Sequence, residues 1–394
     1  MTDVVILSAA RTPIGSFLGT LASVAAPRLG ATAIKAAVER AGVDPASVEQ
    51  VIMGNVLQAG IGQAPARQAA IYAGLPKSAG AVTVHKVCGS GLRAVMDARN
   101  GIVAGEWQTV VAGGMESMSG SPHLLERSRQ GYRMGKVEVT DSMIKDGLWD
   151  PYGDKHMGNC AELCARKYSF TRAEQDAFAL QSYKRAQAAT ESGAFADELV
   201  AVAVPQKKGE PVQVSRDEEP FAAPLDRMGS LKPAFEAQGT VTAANASKIN
   251  DGAAALVVTS AERARKLGQK PLARIVAQGS FAQEPDWFTT APAFATRLVL
   301  ERAGLSARDV TRWEVNEAFA VVAMAFMRDL ELDPATVNTR GGAVALGHPI
   351  GASGARILTT LVHTLVRDRQ RYGLASICIG GGEAAAVLVE NLRL

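Results

Sequence analysis

Apolar positions along the chain follow two alternating periods. Residues 4–8 (Val4, Val5, Ile6, Leu7, Ser8) form a short β-branched run of the kind a buried strand uses. After Pro27, Ile34, Ala37, Val38 and Ala41 recur at i, i+3, i+4 and i+7, and Gly42 follows, which predicts a helix and its stop. The alternation continues through a strand at 51–56, a helix at 67–73, a strand at 82–87, a helix from Ser90 to near Ala104, and a strand at 109–114 that runs into Gly113-Gly114. It resumes at Asp251. Strands are predicted at 253–259, 273–279, 312–315, 375–379 and 384–389, with helices at 261–267, around Ala295, Leu298 and Val299, over the apolar face Ala318, Val321, Val322, Ala325 and Phe326, and at 355–366. Such alternation predicts an α/β fold of parallel sheets with helices on their faces.

Residues 119–250 break the pattern. They are rich in Gly, Pro, Met and charge, with one clear helix from Arg172 to about Ser192, announced by a Thr171/Glu174 capping box and stopped by Gly193, and a short strand candidate at 200–204. This stretch reads as an inserted loop domain. It divides the chain into an N-terminal half (1–118 with 251–270), the insertion (119–250) and a C-terminal half (271–394). A weak internal repeat supports two similar halves: Cys88-Gly-Ser-Gly-Leu-Arg and Gly351-Ala-Ser-Gly-Ala-Arg each open a helix that leads to a strand and a glycine cluster. Two such units would pack side by side and share a cleft.

Composition narrows the class. The 394 residues exceed one ordinary core, and 47% hydrophobic with 21% charged residues is ordinary for a soluble enzyme. A net charge of +3 gives no footing for nucleic acid binding and would not repel an anionic ligand. The four cysteines are scattered, which argues against a disulfide framework; Cys160 and Cys164 lie at helical spacing without a CxxC or His pair, so no zinc site is expected. Asp3 and the lack of a basic region mark the N-terminus as a first strand rather than a signal peptide, and no stretch approaches the ~20 apolar residues of a membrane span. The expectation is a cytoplasmic protein away from the membrane.

Candidate chemistry centres on Cys88. An apolar run ends at this residue, Gly89 and Gly91 follow, and a helix begins, so the thiol is placed on a strand-to-helix turn. Helix-terminal N–H groups there would favour a thiolate, the nucleophilic form. Three further signals are Asn316-Glu-Ala-Phe-Ala, Gly347-His348-Pro349-Ile-Gly-Ala-Ser-Gly and Cys378-Ile-Gly-Gly-Gly. Each alone is modest. In this order, with Arg11-Thr-Pro near the start and 239–252 in the middle, they resemble the thiolase family along the whole chain.

That resemblance implies a five-layered αβαβα arrangement of two βαβ-rich halves and acyl transfer with carbon–carbon bond formation, or its reverse, on coenzyme A thioesters. It implies that Cys88 is acylated, that His348 takes its proton, and that Cys378 removes a proton from a second thioester. Backbone N–H groups of Cys88 and Gly380 would hold one oxyanion, and His348 with a water on Asn316 the other. Ser247 and the Ala243–Ala246 backbone would line the pantetheine channel, His156 and Met157 the acyl end, and Phe235, Ala318 and Phe319 the tunnel. Arg227, Lys232 or Lys248 would meet the phosphates, because the acidic Asp217-Glu-Glu219 is followed by Pro220, where relatives often have a basic residue. The Ala243-Ala244-Asn245-Ala246 form is shared by potassium-activated members, which implies a monovalent cation held by the carbonyls of Ala243, Ala244, Ala246 and Val344 and the Tyr183 hydroxyl. A homotetramer is also implied. His85 and Arg340 depart from the family pattern. Within the family the short-chain acetyl-transferring branch is expected, with a degradative 3-ketoacyl-CoA thiolase for longer chains as the alternative and a non-catalytic acyl-CoA-binding protein as a weaker one.

Overall fold

The computed structural model describes residues 2–394. Its main strands are β1 (Val4–Arg11), β2 (Gln50–Gly54), β3 (Gly80–Val84), β4 (Thr109–Ser117), β5 (Asn250–Ser260), β6 (Ala273–Ala282), β7 (Arg312–Val315), β8 (Tyr372–Ile379) and β9 (Glu383–Asn391). The main helices are α1 (Ala26–Ala41), α2 (Pro65–Tyr72), α3 (Ser90–Ala104), α4 (Met157–Tyr168), α5 (Arg172–Glu191), α6 (Ala291–Ala303), α7 (Ala320–Asp329) and α8 (Ile350–Arg367). The strands pair in the order β7-β8-β9-β6-β1-β5-β4-β2-β3, with Gly15–Ser16 adding to β5.

The expected parallel sheets are only partly present. β2 pairs in parallel with β3 and β4, and β7 with β8, but every pairing from β4 through β5, β1, β6 and β9 to β8 is antiparallel. The cause is connection length. β8 turns into β9 through Gly380-Gly381-Gly382, and a link that short can only reverse the chain. Gly381 (φ +91°) and Gly382 (φ +85°) adopt the left-handed backbone that this turn requires.

β1 and β6 share only two register pairs, Val5↔Arg274 and Ile6↔Ala273, so the sheet consists of two halves joined at a narrow seam. α3 and α8 lie between those halves: Leu92, Val95, Leu358 and Leu361 share one core with Ile52 and Leu256 on one side and Ile377 and Val387 on the other. α1 and α2 cover the outer face of the first half through Leu29, Ile34 and Ala69. α6 and α7 cover the second through Val299 and Phe326. Helix, sheet, helix, sheet, helix gives five layers.

The glycines of the internal repeat have a packing purpose. A Cβ on Gly354 would come within 2.4 Å of the Leu92 backbone nitrogen, and one on Gly91 within 2.8 Å of the Ala355 nitrogen. α3 and α8 therefore cross backbone to backbone. For the same reason α8 begins at Ile350, earlier than the predicted Ala355: the Gly-rich segment is a helix in tight contact, not a loop. The insertion holds the predicted helix α5 with its Thr171/Glu174 capping box, and also α4, which was not foreseen, plus three short hairpins.

Candidate active site

β3 ends at Val84, short of the predicted Val87, and the chain enters a tight loop before α3. Val87, directly before Cys88, sits at φ +44°, a conformation costly for a β-branched residue. The Ser90 hydroxyl donates to Val87 O (2.7 Å) and accepts from the Lys86 N–H (2.8 Å), and Lys86 pairs with Glu383 across the seam. His85, one of the departures, accepts from the Val87 N–H through Nδ1 at 3.3 Å. Several contacts thus hold the strained loop and present Cys88 to an apolar cavity of about 270 Å³.

The cavity gathers Cys88, His348 and Gly380 with His156, Met157, Phe235, Ser247, Ala318 and Phe319, all foreseen from sequence. Val87, Met118, Leu148, Phe288 and Lys248 are among its other lining residues and were not foreseen as lining. His156 stacks on Phe235 (centroids 4.7 Å apart), and Phe319 meets both Phe235 and Phe288 edge-on. Cys378, at the end of β8, is fully buried behind the wall, close enough for Cys88 to push its thiol further up. Arg227, Lys232 and Ala243 are exposed and outside the lining.

Electrostatics set the resting forms. Burial pushes the Cys88 thiol up to about 11, against the opposing N–H groups of Gly380 and of Cys88 itself. The thiolate expected from a helix terminus is therefore not the resting state: Cys88 precedes the Gly89 N-cap, and desolvation outweighs the donors. Burial raises Cys378 well above the usual thiol value, so it too is a thiol. Burial, aided by the nearby Arg356 charge, brings His348 down to about 3, which leaves a neutral imidazole.

Ser353 Oγ lies 2.6 Å from His348 Nδ1 and 2.9 Å from Pro349 O; with its hydrogen on Pro349 O it accepts from His348 Nδ1–H. Nε2 is then the bare nitrogen, 3.5 Å from the Asn316 side-chain amide. Asn250 Oδ1 holds the His348 backbone N–H at 2.9 Å. Glu116 clamps the loops from beneath, accepting from the N–H groups of Val56, Leu57 and Gly351 and from Asn55 Nδ2. Ser353, Asn250 and Glu116 were missed by sequence reasoning. Ser353 and Asn250 left a signal, the first inside the motif that follows His348 and the second inside the 239–252 stretch; Glu116 left none.

Asp217-Glu-Glu219 is tied into the fold: Asp217 holds the buried Arg11 guanidinium at 2.7 and 2.9 Å, Glu218 accepts from Ser16 and Thr20, and Glu219 accepts from Asn250. Of the residues expected to hold a monovalent cation, Tyr183, Ala244 and Val344 do pack together. The carbonyls of Ala243 and Ala246, however, accept from the Lys248 ammonium at 2.6 and 2.9 Å. Lys248 is therefore turned inward and does not reach out to phosphates. Arg340, the other departure, donates to Ala194 O from a buried position.

Comparison with known proteins agrees with this geometry. Residues 4–262 match the thiolase N-terminal domain and residues 269–391 the thiolase C-terminal domain. An acetyl-CoA acetyltransferase of Cupriavidus necator is 54% identical, covering 99% of this chain and 100% of its own. The mitochondrial acetyl-CoA acetyltransferase of Bos taurus is 51% identical over 100% of this chain and 92% of its own. Among solved structures, an Ascaris suum thiolase in complex with coenzyme A superposes with a TM-score of 0.94 at 45% identity, over 99% of this chain and 100% of that one. A Bacillus anthracis acetyl-CoA acetyltransferase superposes at 0.97 with 41% identity, over 100% and 99%. A cavity that joins the Cys88 thiol to a neutral imidazole, with a second thiol buried behind its wall, in a five-layered fold matched from end to end, makes this chain a member of the thiolase family.

Proposed function

We propose that the chain is an acetyl-CoA C-acetyltransferase, converting two acetyl-CoA into acetoacetyl-CoA and CoA, and the reverse, through an acyl-Cys88 intermediate. The observation that carries this reading is the meeting of Cys88, Gly380 N–H and the bare Nε2 of His348 at one apolar cavity, with a second thiol behind it. Binding alone has no need of that second thiol.

Protons balance through the resting forms. Cys88 gives its proton to His348 Nε2 as sulfur attacks the thioester carbonyl, and the Cys88 and Gly380 N–H groups take the developing oxyanion. CoA leaves as a thiolate and is protonated by Cys378. The resulting Cys378 thiolate, paired with the His348 imidazolium, takes the α-proton of a second acetyl-CoA. The enolate oxygen is held by the Nε2–H now on His348 and by a water on Asn316. Attack on acyl-Cys88 releases the Cys88 sulfur, which recovers the His348 proton.

Phe235, Phe288 and Phe319 crowd the cavity, which favours a short acyl group over the longer chains of a degradative enzyme. Thiolysis rates across acetoacetyl-, 3-ketohexanoyl- and longer 3-ketoacyl-CoA test this. A steep fall beyond acetoacetyl-CoA supports it, and equal rates contradict it. Ser247, Ala318, His156 and Met157 are the proposed contacts to the pantetheine and acyl groups. A homotetramer is supported by apolar residues exposed on the insertion (Leu125, Met134, Val139) and by the uncovered sheet edge at β3, where Val82 is exposed. Light scattering tests that assembly. Among the described residues no helix is long and apolar enough to cross a membrane. A cytoplasmic setting is supported by four cysteines that are all unpaired.

A further inference from the structure

We propose that the Lys248 ammonium is a tethered cation that organises the 243–248 loop, replacing a free monovalent ion and holding Ser247 in the cavity wall. The inference rests on the reading of this cavity as the acyl-CoA site.

The loop folds as a single turn, with the Ala246 N–H bonded to Thr242 O at 3.0 Å. This turn leaves the carbonyls of Ala243 and Ala246 converging on one point. Lys248 Nζ fills that point, at 2.6 and 2.9 Å. Its charge lies 5.7 Å from the centre of the Tyr183 ring, close enough for a cation–π attraction. Tyr183 is itself buried, and its hydroxyl has no partner. Glu219, fixed by Asn250 Nδ2, supplies the opposing charge. Burial lowers Lys248 to about 8, so the ammonium is held under desolvation, as an ion in a built site is.

Oxygen ligands alone suit a hard monovalent cation. Here two of those oxygens already face a positive charge, and a second cation among them would meet strong like-charge repulsion. The tether also makes binding intramolecular, so no salt ion is required to complete the site. The organised loop then reaches the chemistry. Ser247 N–H donates to Ala318 O at 2.9 Å and Ala320 N–H to Asn245 O at 2.8 Å, which fastens the loop beside Asn316. Lys248 is thus a positioning residue.

The test uses the full chain and its Lys248→Met variant, which keeps the apolar stem and loses the charge. KM for acetoacetyl-CoA and kcat are measured in potassium, ammonium and tetramethylammonium chloride at equal ionic strength. The parent should show one KM in all three. The variant should show a KM raised about tenfold or more in tetramethylammonium, the size of a lost charge-assisted hydrogen bond, with kcat less affected and potassium or ammonium restoring KM. Thermal unfolding without substrate gives a second readout: potassium should stabilise the variant and not the parent. A parent that needs potassium overturns the proposal, as does a variant that matches the parent in every salt or is impaired equally in every salt. An inactive parent would instead indict the functional reading, with the unfolding comparison still deciding the role of Lys248.

Discussion

Replacing Ser353 by alanine removes the group that decides which nitrogen of His348 carries the proton. With the Ser353 hydrogen on Pro349 O, the Nδ1–H donates across 2.6 Å to that hydroxyl. Without the hydroxyl, the buried N–H loses that acceptor. Leaving such a donor unpaired costs about 1–3 kcal/mol. The ring escapes that cost by moving its proton to Nε2, and then the nitrogen facing Asn316 and the cavity cannot accept the Cys88 proton. Either way the penalty falls on acylation, and about 1–3 kcal/mol corresponds to a roughly 5- to 150-fold loss in kcat/KM. The assay is thiolysis of acetoacetyl-CoA by Ser353→Ala and Ser353→Thr beside the parent. The threonine variant keeps the hydroxyl and should recover most of the rate. The unfolding midpoint of each variant separates this effect from simple loss of fold. Parent-like kcat/KM in a folded Ser353→Ala would refute the reasoning, because the tautomer would then be set by something other than Ser353.

Other consequences are as direct. Cys378→Ala should still become acetylated but fail to exchange the α-protons of a second acetyl-CoA with solvent, measured by deuterium incorporation; normal exchange would remove Cys378 from the role of base. Asp217→Asn leaves the buried Arg11 with Glu198 as its one carboxylate partner and should lower stability by about 3 kcal/mol in urea unfolding, the low end for breaking a buried pair because Glu198 remains. Because His348 is held at about 3, below its unfolded value near 6.5, its neutral form contributes stability that is complete above pH 6.5 and drains away as pH falls toward 3, by up to about 1.4 kcal/mol per unit. Unfolding of the parent and of His348→Asn at pH 7.5, 5.5 and 4.5 should therefore show the parent losing more. Gly354→Ala pushes a methyl to within 2.4 Å of the Leu92 nitrogen and should destabilise by about 1–3 kcal/mol, seen as a lower unfolding midpoint.

What was legible in the sequence was local. Strands with unbroken apolar runs, such as Val4–Arg11 and Asn250–Ser260, and helices with clear periodicity or caps, such as Ala26–Ala41 and Arg172–Glu191, lie close to where hydrophobic pattern places them. Cys88, His348 and Gly380 at the cavity, with Asn316 and Cys378 outside its lining, were also legible, because their motifs carried them. What was not legible depends on distant partners. The helical start at Ile350 lies ahead of the periodic run at 355–366, since glycines at 351 and 354 carry no apolar pattern; Glu116 and Leu92 press against them. Strand direction was misread because it is set by connections across the insertion and by the short turn at Gly380-Gly381-Gly382. The role of Asp217 was not legible because nothing nearby in the chain announces Arg11, 206 positions away. Lys248 was expected at the phosphates, since nothing in the sequence shows that two carbonyls of its own loop surround its ammonium.

The central claim is that Cys88 is the group that carries the acyl chain, with Cys378 behind it as the proton carrier. Brief incubation with labelled acetyl-CoA, acid quench and peptide mapping tests this directly. The account predicts one labelled acetyl group per chain on the peptide containing Cys88, retained in Cys378→Ala and absent from Cys88→Ser. Label on Cys378, or label that persists in Cys88→Ser, would contradict it.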